Sequence, residues 1–223
     1  NVMICQSNEM LELEKTNIRT LVASQVDGLL ISLSRETNTY DHLLDLYNRE
    51  IPFLLFDRVN EDIPVSRVTF NDEGGAYQVT KHLLETGCKR VMYVSGPEEL
   101  YISKKRKEGY LHALNEFGIK PEPELIKISD LTTEGNIQIG KDIAEMKARP
   151  DGVFCMIDPI ALDILAYWKS IGIKIPQDMA LAGFTNNPSS AVVEPPLTTV
   201  AQPGYEMGKL AVTHLLDQLD GQA

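Results

Sequence analysis

Short, continuously apolar segments recur along this chain of 223 residues, and helical segments separate them. Apolar residues that run without interruption over one strand length are typical of strands buried on both faces of a parallel sheet. Such segments lie at residues 26–31, 52–56, 90–94, 152–157 and 179–184. Residues 1–5 are also apolar in part, and we expect a strand there as well.

Between these segments, apolar residues follow the i, i+3, i+4, i+7 spacing of one helix face. One such stripe runs from Ala76 to Leu84 and ends at Gly87, and a second runs from Gly208 to Leu219. Shorter stripes occupy residues 11–22 and 162–166. The repeated order of strand, helix and strand predicts βαβ units, and therefore an α/β fold with mainly parallel sheets flanked by helices.

Two stretches without a helical pattern, at residues 63–71 and 186–203, interrupt this order. We expect the chain to cross there between two α/β lobes. One lobe would comprise residues 1–70 plus 203–223, and the other residues 71–202. Ligands of open parallel sheets bind beyond the carboxyl ends of the strands. The residues that follow the strands are therefore the candidate binding residues.

The composition is that of a globular protein, with 43% apolar and 24% charged residues and no apolar stretch long enough to span a membrane. The formal net charge of -11 disfavours DNA binding by these residues alone. We expect Cys5, Cys88 and Cys155 to be buried or half-buried free thiols, which suits a cytoplasmic protein. The sequence begins without methionine, and we expect it to be a piece of a longer protein.

Signatures of several enzyme classes are missing from the sequence, including the phosphate-binding loop, the dinucleotide fingerprint, the zinc-protease motif and the nucleophile elbow. The four histidines are scattered and form no i, i+4 pair for a metal: His42, His82, His112 and His214. We therefore predict neither catalysis nor a cofactor or metal.

A basic run, Lys104 to Lys107, suggests a nucleic-acid patch at first sight. Helical spacing, however, places Arg106 on one face with Gly109, Tyr110 and Ala113, and this face points inward. The lysines then face solvent. A buried arginine needs an acidic partner or a polar ligand, and both alternatives stay open here.

Polar residues follow three of the predicted strands: Asp57, then Asp158, then Thr185 with Asn186. They would line a binding site at the carboxyl ends of the strands. For Asp158 the preferred interpretation is a helix N-cap, because Pro159 follows it at the first helical turn.

Several motifs occur in the order found in the lactose/galactose repressor family, and together they cover nearly the whole chain. They are Asp57-Arg58, Gly87 to Val91, Ser103 to Tyr110, Arg149 to Cys155, Ile175 to Phe184, Pro195 to Pro203 and Glu206 to Gly208. The chain resembles the effector-binding core of these bacterial transcription regulators.

This resemblance implies a two-lobed fold like that of periplasmic binding proteins, a small ligand in the cleft, and a homodimer. It also implies that operator DNA is bound only through an N-terminal head, which no residues here match. The first βα unit of the family and the last strand, which would follow Gly221, are expected to be missing from this chain. The ligand-binding positions implied by the resemblance are Asp57, Arg58, Arg106, Asp130, Leu131, Ile157, Asp158, Thr185 and Asn186.

Two of these positions depart from the pattern of sugar-sensing members. Ile157 replaces an asparagine and Thr185 an aspartate, which makes the pocket less polar. The effector would be a sugar or sugar-related metabolite bound differently, or a less hydroxylated or anionic molecule; a pocket controlled by a protein partner is the other alternative. Arg106 would be the main polar anchor.

The leading hypothesis is therefore the effector-sensing, dimerising core of a transcription regulator, without a membrane partner. The alternative is a solute-binding protein of a transport system, which would share the fold.

Overall fold

Strands and helices alternate through the computed structural model, which describes residues 1–221. The strands within these residues are β1 (Leu29–Ile31), β2 (Phe53–Phe56), β3 (Arg67–Val68), β4 (Val91–Ser95), β5 (Ile126–Ile128), β6 (Gly152–Cys155) and β7 (Ala180–Ala182). The α-helices there are α1 (Leu11–Ala23), α2 (Asp41–Asn48), α3 (Asp72–Glu85), α4 (Tyr101–Glu116), α5 (Thr133–Glu145), α6 (Asp158–Ser170) and α7 (Gly204–Leu219).

The chain divides into two compact units. Unit 1 comprises Asn1–Phe70 and Pro203–Ala223, and unit 2 comprises Asn71–Gln202. The chain thus passes from unit 1 to unit 2 after Phe70 and returns after Gln202, in the two stretches where the sequence lacks a helical pattern.

Unit 1 contains a three-stranded parallel sheet in the order β1-β2-β3. Helix α7 packs against all three strands, although it comes from the far end of the sequence. Its Ala211 is buried in one cluster with Leu54 of β2 and Val68 of β3. Residues from both ends of the chain therefore build this core.

Unit 2 contains a four-stranded parallel sheet in the order β5-β4-β6-β7. Tyr93 and Phe154 are fully buried on neighbouring strands, with ring centroids 5.1 Å apart. Helices α3 and α4 cross closely at Gly109, where an added Cβ would lie 2.1 Å from the carbonyl oxygen of Glu73. The single tryptophan, Trp168, is buried and donates a hydrogen bond to the carbonyl oxygen of Gly140 at 2.8 Å.

The predicted α/β fold with parallel sheets is confirmed, and each of the five predicted strand segments contains a strand. Most of these strands are shorter than their apolar segments. Strand β5 and helix α5 were not predicted, because residues 126–145 show neither a long apolar run nor a clear stripe. The stretch at residues 186–203 includes a short 3-10 helix, Pro188–Ala191.

The strand predicted at residues 1–5 is wrong. This segment has no strand partner among the described residues, and Val2 and Ile4 are 88% and 90% exposed. Cys5 is consequently exposed, against expectation, whereas Cys88 is half-buried and Cys155 is buried. The position after Gly221, where the family's last strand would follow, lies outside the described residues.

Within residues 1–221, the helices are either too short or too polar to cross a lipid bilayer.

Candidate functional site

The carboxyl ends of the unit 2 strands bring together most of the predicted binding residues. Because all four strands are parallel, their carboxyl ends share one edge of the sheet. Asp130 and Leu131 follow β5, Ile157 and Asp158 follow β6, and Thr185 with Asn186 follows β7. We call this the carboxyl edge of unit 2.

Arg106 enters this edge from α4 and is almost completely buried, at 1% exposure. Its Nε and Nη2 lie 2.8 Å and 2.7 Å from Oδ1 of Asp72, the first residue of α3. Its Nη1 donates to the carbonyl oxygen of Met156 at 2.5 Å. The guanidinium also stacks on the Phe184 ring, 3.8 Å from the centroid. Arg106 therefore joins α3, the end of β6 and the end of β7.

The inward orientation that the sequence predicted for Arg106 is confirmed. Its neighbour Lys104 is exposed, while Lys105 and Lys107 form ion pairs with glutamates at the surface. Of the two roles left open for Arg106, the structure shows the ion pair with an acidic partner. The ligand contact stays a prediction.

Asp158 is also buried, at 0% exposure, and its carboxylate receives three hydrogen bonds. Oδ2 accepts from the backbone N–H of Asn187 at 2.6 Å and from the Ser190 hydroxyl at 2.8 Å. Oδ1 accepts from the Thr199 hydroxyl at 2.6 Å. The carboxylate thus holds two other segments of unit 2 against the end of β6.

The N-cap role predicted for Asp158 is wrong. Ile157 occupies the cap position, Asp158 is the first residue of α6, and no side chain caps this helix. The sequence did place Pro159 correctly in the first turn. The Asp158 carboxylate instead turns toward donors that come from residues far along the chain, which no local pattern could reveal.

Thr185 and Asn186 adopt left-handed backbone angles, with φ of 107° and 51°. Such conformations are unfavourable for residues other than glycine and are frequent at binding sites. The Thr185 N–H donates to the carbonyl oxygen of Val200 at 2.9 Å, and the Asn186 N–H donates to the Thr199 hydroxyl at 3.1 Å. Backbone bonds to a neighbouring segment therefore hold this strained turn in place.

The other predicted residues at this edge offer little charge to a ligand. Asp130 is exposed, but its carboxylate accepts hydrogen bonds from the backbone N–H and the hydroxyl of Thr132, at 2.9 Å and 2.8 Å. Leu131 and Ile157 are half-buried and apolar. The charged groups Arg106, Asp130 and Asp158 are all engaged within the protein.

Asp57 and Arg58 lie in unit 1, directly after β2. Asp57 is half-buried, has φ of 59°, and donates its backbone N–H to the carbonyl oxygen of Val68 at 3.0 Å. Arg58 forms a two-pronged ion pair with Glu9, at 2.5 Å and 2.6 Å. The hydrogen bond from Arg58 lowers the pKa of Glu9 below its ordinary value, against the opposing effect of burial. Sequence reasoning missed Glu9, because 49 residues separate the partners.

A second group that sequence reasoning missed surrounds Glu14 of α1, which is buried at 4% exposure. Its carboxylate accepts hydrogen bonds from the Ser34 backbone N–H at 2.5 Å and the Thr37 hydroxyl at 2.9 Å, and lies 2.8 Å from Nε2 of His42. Burial raises the pKa of Glu14, but these hydrogen bonds outweigh it, so the pKa lies below its ordinary value. Glu14 thereby fixes the loop that follows β1.

The lowered pKa of Glu14 makes unit 1 sensitive to acid. A carboxylate whose folded pKa is depressed stabilises the protein above its unfolded pKa, and this stabilisation is lost as the pH falls through the folded pKa. We expect Glu14→Gln to cost about 1.5 kcal/mol at neutral pH, since hydrogen bonds to a buried charge are lost. Below about pH 4 the difference from wild type should shrink.

Thermal unfolding followed by circular dichroism from about pH 7 to pH 3 measures this effect. Asp27→Asn, at an exposed carboxylate of the same unit, is the matched control and should change stability little. A pH profile of Glu14→Gln parallel to that of wild type would contradict the role given to Glu14.

No group of three or more histidine, cysteine, aspartate or glutamate side chains within residues 1–221 is arranged to hold a metal ion.

Comparison with known proteins shows which family and which relatives this chain is similar to. The family described as "Periplasmic binding protein-like domain" matches residues 80–223. The HTH-type transcriptional repressor CytR of Escherichia coli (strain K12) is 33% identical over 209 residues, which cover 94% of this chain and 61% of CytR. The chain spans less than two thirds of the length of the curated relatives that it matches first.

Solved structures agree on the fold. The transcription regulator CcpA of Lactococcus lactis superposes with a TM-score of 0.90 at 24% identity, over 100% of this chain and 81% of CcpA. The transcriptional regulator CelR, in its complex with cellobiose, superposes with a TM-score of 0.85 at 26% identity, over 96% of this chain and 65% of CelR.

These relatives are transcription regulators rather than enzymes, and they favour a regulator over a solute-binding protein of a transport system. The family match, the parallel sheets and the motif order agree with one another. The chain belongs to the family of periplasmic binding protein-like domains, and over nearly its whole length it is similar to the corresponding part of bacterial transcriptional repressors.

Proposed function

We propose that this chain senses a small-molecule effector for a cytoplasmic transcription regulator and has no catalytic activity. The observation that carries the proposal is the carboxyl edge of unit 2, where the ends of β5, β6 and β7 supply candidate residues. Ligands of open parallel sheets bind beyond such carboxyl ends. DNA would be contacted by parts of the regulator other than these residues, consistent with their net charge of -11.

The residues at this edge have two different roles in the proposal. Thr185 and Asn186, together with the apolar side chains of Leu131 and Ile157, contact the effector. Arg106 and Asp158 are buried and hold the contacting residues in position. Asp57 and Arg58, which lie in unit 1, stay predictions made from the resemblance.

The effector proposed is a neutral molecule of the sugar or sugar-related class that carries an apolar face. Cellobiose in the complex of CelR supports the sugar class. At this edge the Leu131 and Ile157 side chains are apolar, and those of Thr185 and Asn186 are neutral. These side chains favour an effector that carries little charge. Population shift between two arrangements of the core, each with its own effector affinity, would transmit the signal.

The test is a thermal-shift screen of the purified chain with mono- and disaccharides, including cellobiose, and with nucleosides. Calorimetry then measures the affinity of each compound that raises the melting temperature. Asn186→Ala should weaken binding about three- to tenfold, which corresponds to one lost hydrogen bond. Asn115→Ala removes an exposed amide at the other end of α4 and should leave the affinity unchanged.

Binding that is equally strong in wild type, Asn186→Ala and Thr185→Ala would contradict the proposed site.

The resemblance further supports a homodimer, and light scattering of the chain at tens of micromolar should give the dimer mass.

A further inference from the structure

Asp158 is a shared acceptor for two segments of unit 2 that are distant in sequence. On one side it binds the segment that follows the Thr185–Asn186 turn, through the Asn187 N–H and the Ser190 hydroxyl. On the other side it binds Thr199, three residues before the chain leaves unit 2 after Gln202. One buried carboxylate therefore connects the carboxyl edge to the segment that leads out of the unit.

We propose that Asp158 is a positioning residue that couples the Thr185–Asn186 turn to the exit segment, residues 198–202. When either segment moves, the other loses its hydrogen bonds as well. The link to effector binding rests on the proposed function, whereas the coupling is a property of unit 2 itself.

The first argument is the continuity of the hydrogen bonds. Three consecutive backbone N–H groups, those of Thr185, Asn186 and Asn187, donate respectively to the Val200 carbonyl, the Thr199 hydroxyl and the Asp158 carboxylate. The Thr199 hydroxyl in turn donates to Asp158. The turn, the exit segment and the carboxylate thus form one closed network.

The second argument is that the Asp158 carboxylate has no freedom to move. It is fully buried, and an added Cβ on Gly183 would lie 2.1 Å from its Oδ1. Only glycine at position 183 allows the carboxylate to sit there. Its removal would leave one backbone N–H and two hydroxyls without their acceptor in a buried place, which is unfavourable.

The third argument is the strain in the turn. Left-handed angles at Thr185 and Asn186 persist only where surrounding contacts impose them. The hydrogen bonds described for Thr185 and Asn186 come from the exit segment, and Asp158 holds both that segment, through Thr199, and the residue after the turn, Asn187. Loss of the Asp158 bonds should therefore release the turn and the exit segment together.

Hydrogen exchange of single amides, followed by NMR on the whole chain without ligand, tests the coupling. In Asp158→Leu the amides of Thr185, Asn186 and Asn187 should exchange at least tenfold faster than in wild type, relative to the amides of β6. Asp158→Asn should restore most of the protection, because its side-chain oxygen still accepts and the Thr199 hydroxyl can turn to accept from its NH2 group.

Two further variants sharpen the test and remain informative if Asp158→Leu does not fold. Thr199→Val alters only the exit segment, yet it should accelerate exchange of the Asn187 amide at least threefold. Asp163→Leu removes another carboxylate of α6, which binds Asn136, and should leave the turn as in wild type.

Unchanged exchange in the turn of Asp158→Leu would overturn the proposal, and so would an acceleration shared equally by β6. In Thr199→Val, an effect confined to the Asn186 amide would show that the two segments move independently. No effector is needed for these measurements, so a failure to find an effector would count against the proposed function and leave the coupling standing.

Discussion

Arg106→Ala is expected to destabilise unit 2 by about 3–5 kcal/mol, the usual cost of removing one partner of a buried ion pair. The reason is the Asp72 carboxylate, which is as buried as Arg106 and would lose the guanidinium beside it. The carbonyl oxygen of Met156 would lose its donor, and the Phe184 ring its stacking partner. Urea unfolding followed by the fluorescence of Trp168, which lies in unit 2, measures the loss.

Lys105→Ala is the matched control for this prediction. Lys105 is the preceding residue of α4 and pairs with Glu108 at the surface, so its loss should cost less than about 1 kcal/mol. The double variant Asp72→Leu with Arg106→Met removes both charges and should recover much of the stability lost in Arg106→Ala. An Arg106→Ala protein as stable as Lys105→Ala would show that the ion pair contributes little.

Gly109→Ala is expected to cost about 3 kcal/mol, at the upper end of what overpacking usually costs. The new methyl group would lie 2.1 Å from the carbonyl oxygen of Glu73 and 2.8 Å from the backbone nitrogen of Tyr77. Both are backbone atoms of α3, so no side chain can rotate to make room. Helices α3 and α4 would have to separate, and the same urea titration would detect the change.

Gly140→Ala is the control for Gly109→Ala, because it adds the same methyl group to another buried glycine in a helix of unit 2. There the nearest atom, on Tyr167, is 3.4 Å away, an ordinary contact distance. Because alanine favours the helix over glycine, we expect stability equal to wild type or up to about 1 kcal/mol higher. Equal losses in both variants would rule out the close helix crossing as the cause.

The inward face of α4 was accessible to sequence reasoning, because helical spacing alone groups Arg106 with Gly109 and Tyr110. The partner of Arg106 was not accessible, since Asp72 lies 34 residues earlier in the chain. Nothing in the local pattern distinguishes Asp72 from the other acidic residues. A periodic pattern indicates which side of a helix is buried, but tertiary contacts decide what meets that side.

Asp158 is a second case in which tertiary contacts, and not the local sequence pattern, decide the role of a side chain. The Asp-Pro pair correctly marked the start of a helix, and local rules then favoured a cap. The fold instead supplies the carboxylate with donors from residues 187–199, which outweigh the local alternative. Glu9 and Glu14 were missed for the same reason, because their partners Arg58 and His42 lie 49 and 28 residues away in the sequence.

The return of the chain to unit 1 has a consequence for how the protein is made. During synthesis, all of unit 2 is made before α7, so unit 1 lacks the helix that packs on its three strands throughout that time. The buried contact of Ala211 with Leu54 and Val68 therefore forms only after all of unit 2 has been synthesised. Until then the sheet of unit 1 exposes an apolar face, and this interval is when the nascent chain is most exposed to aggregation and to capture by chaperones.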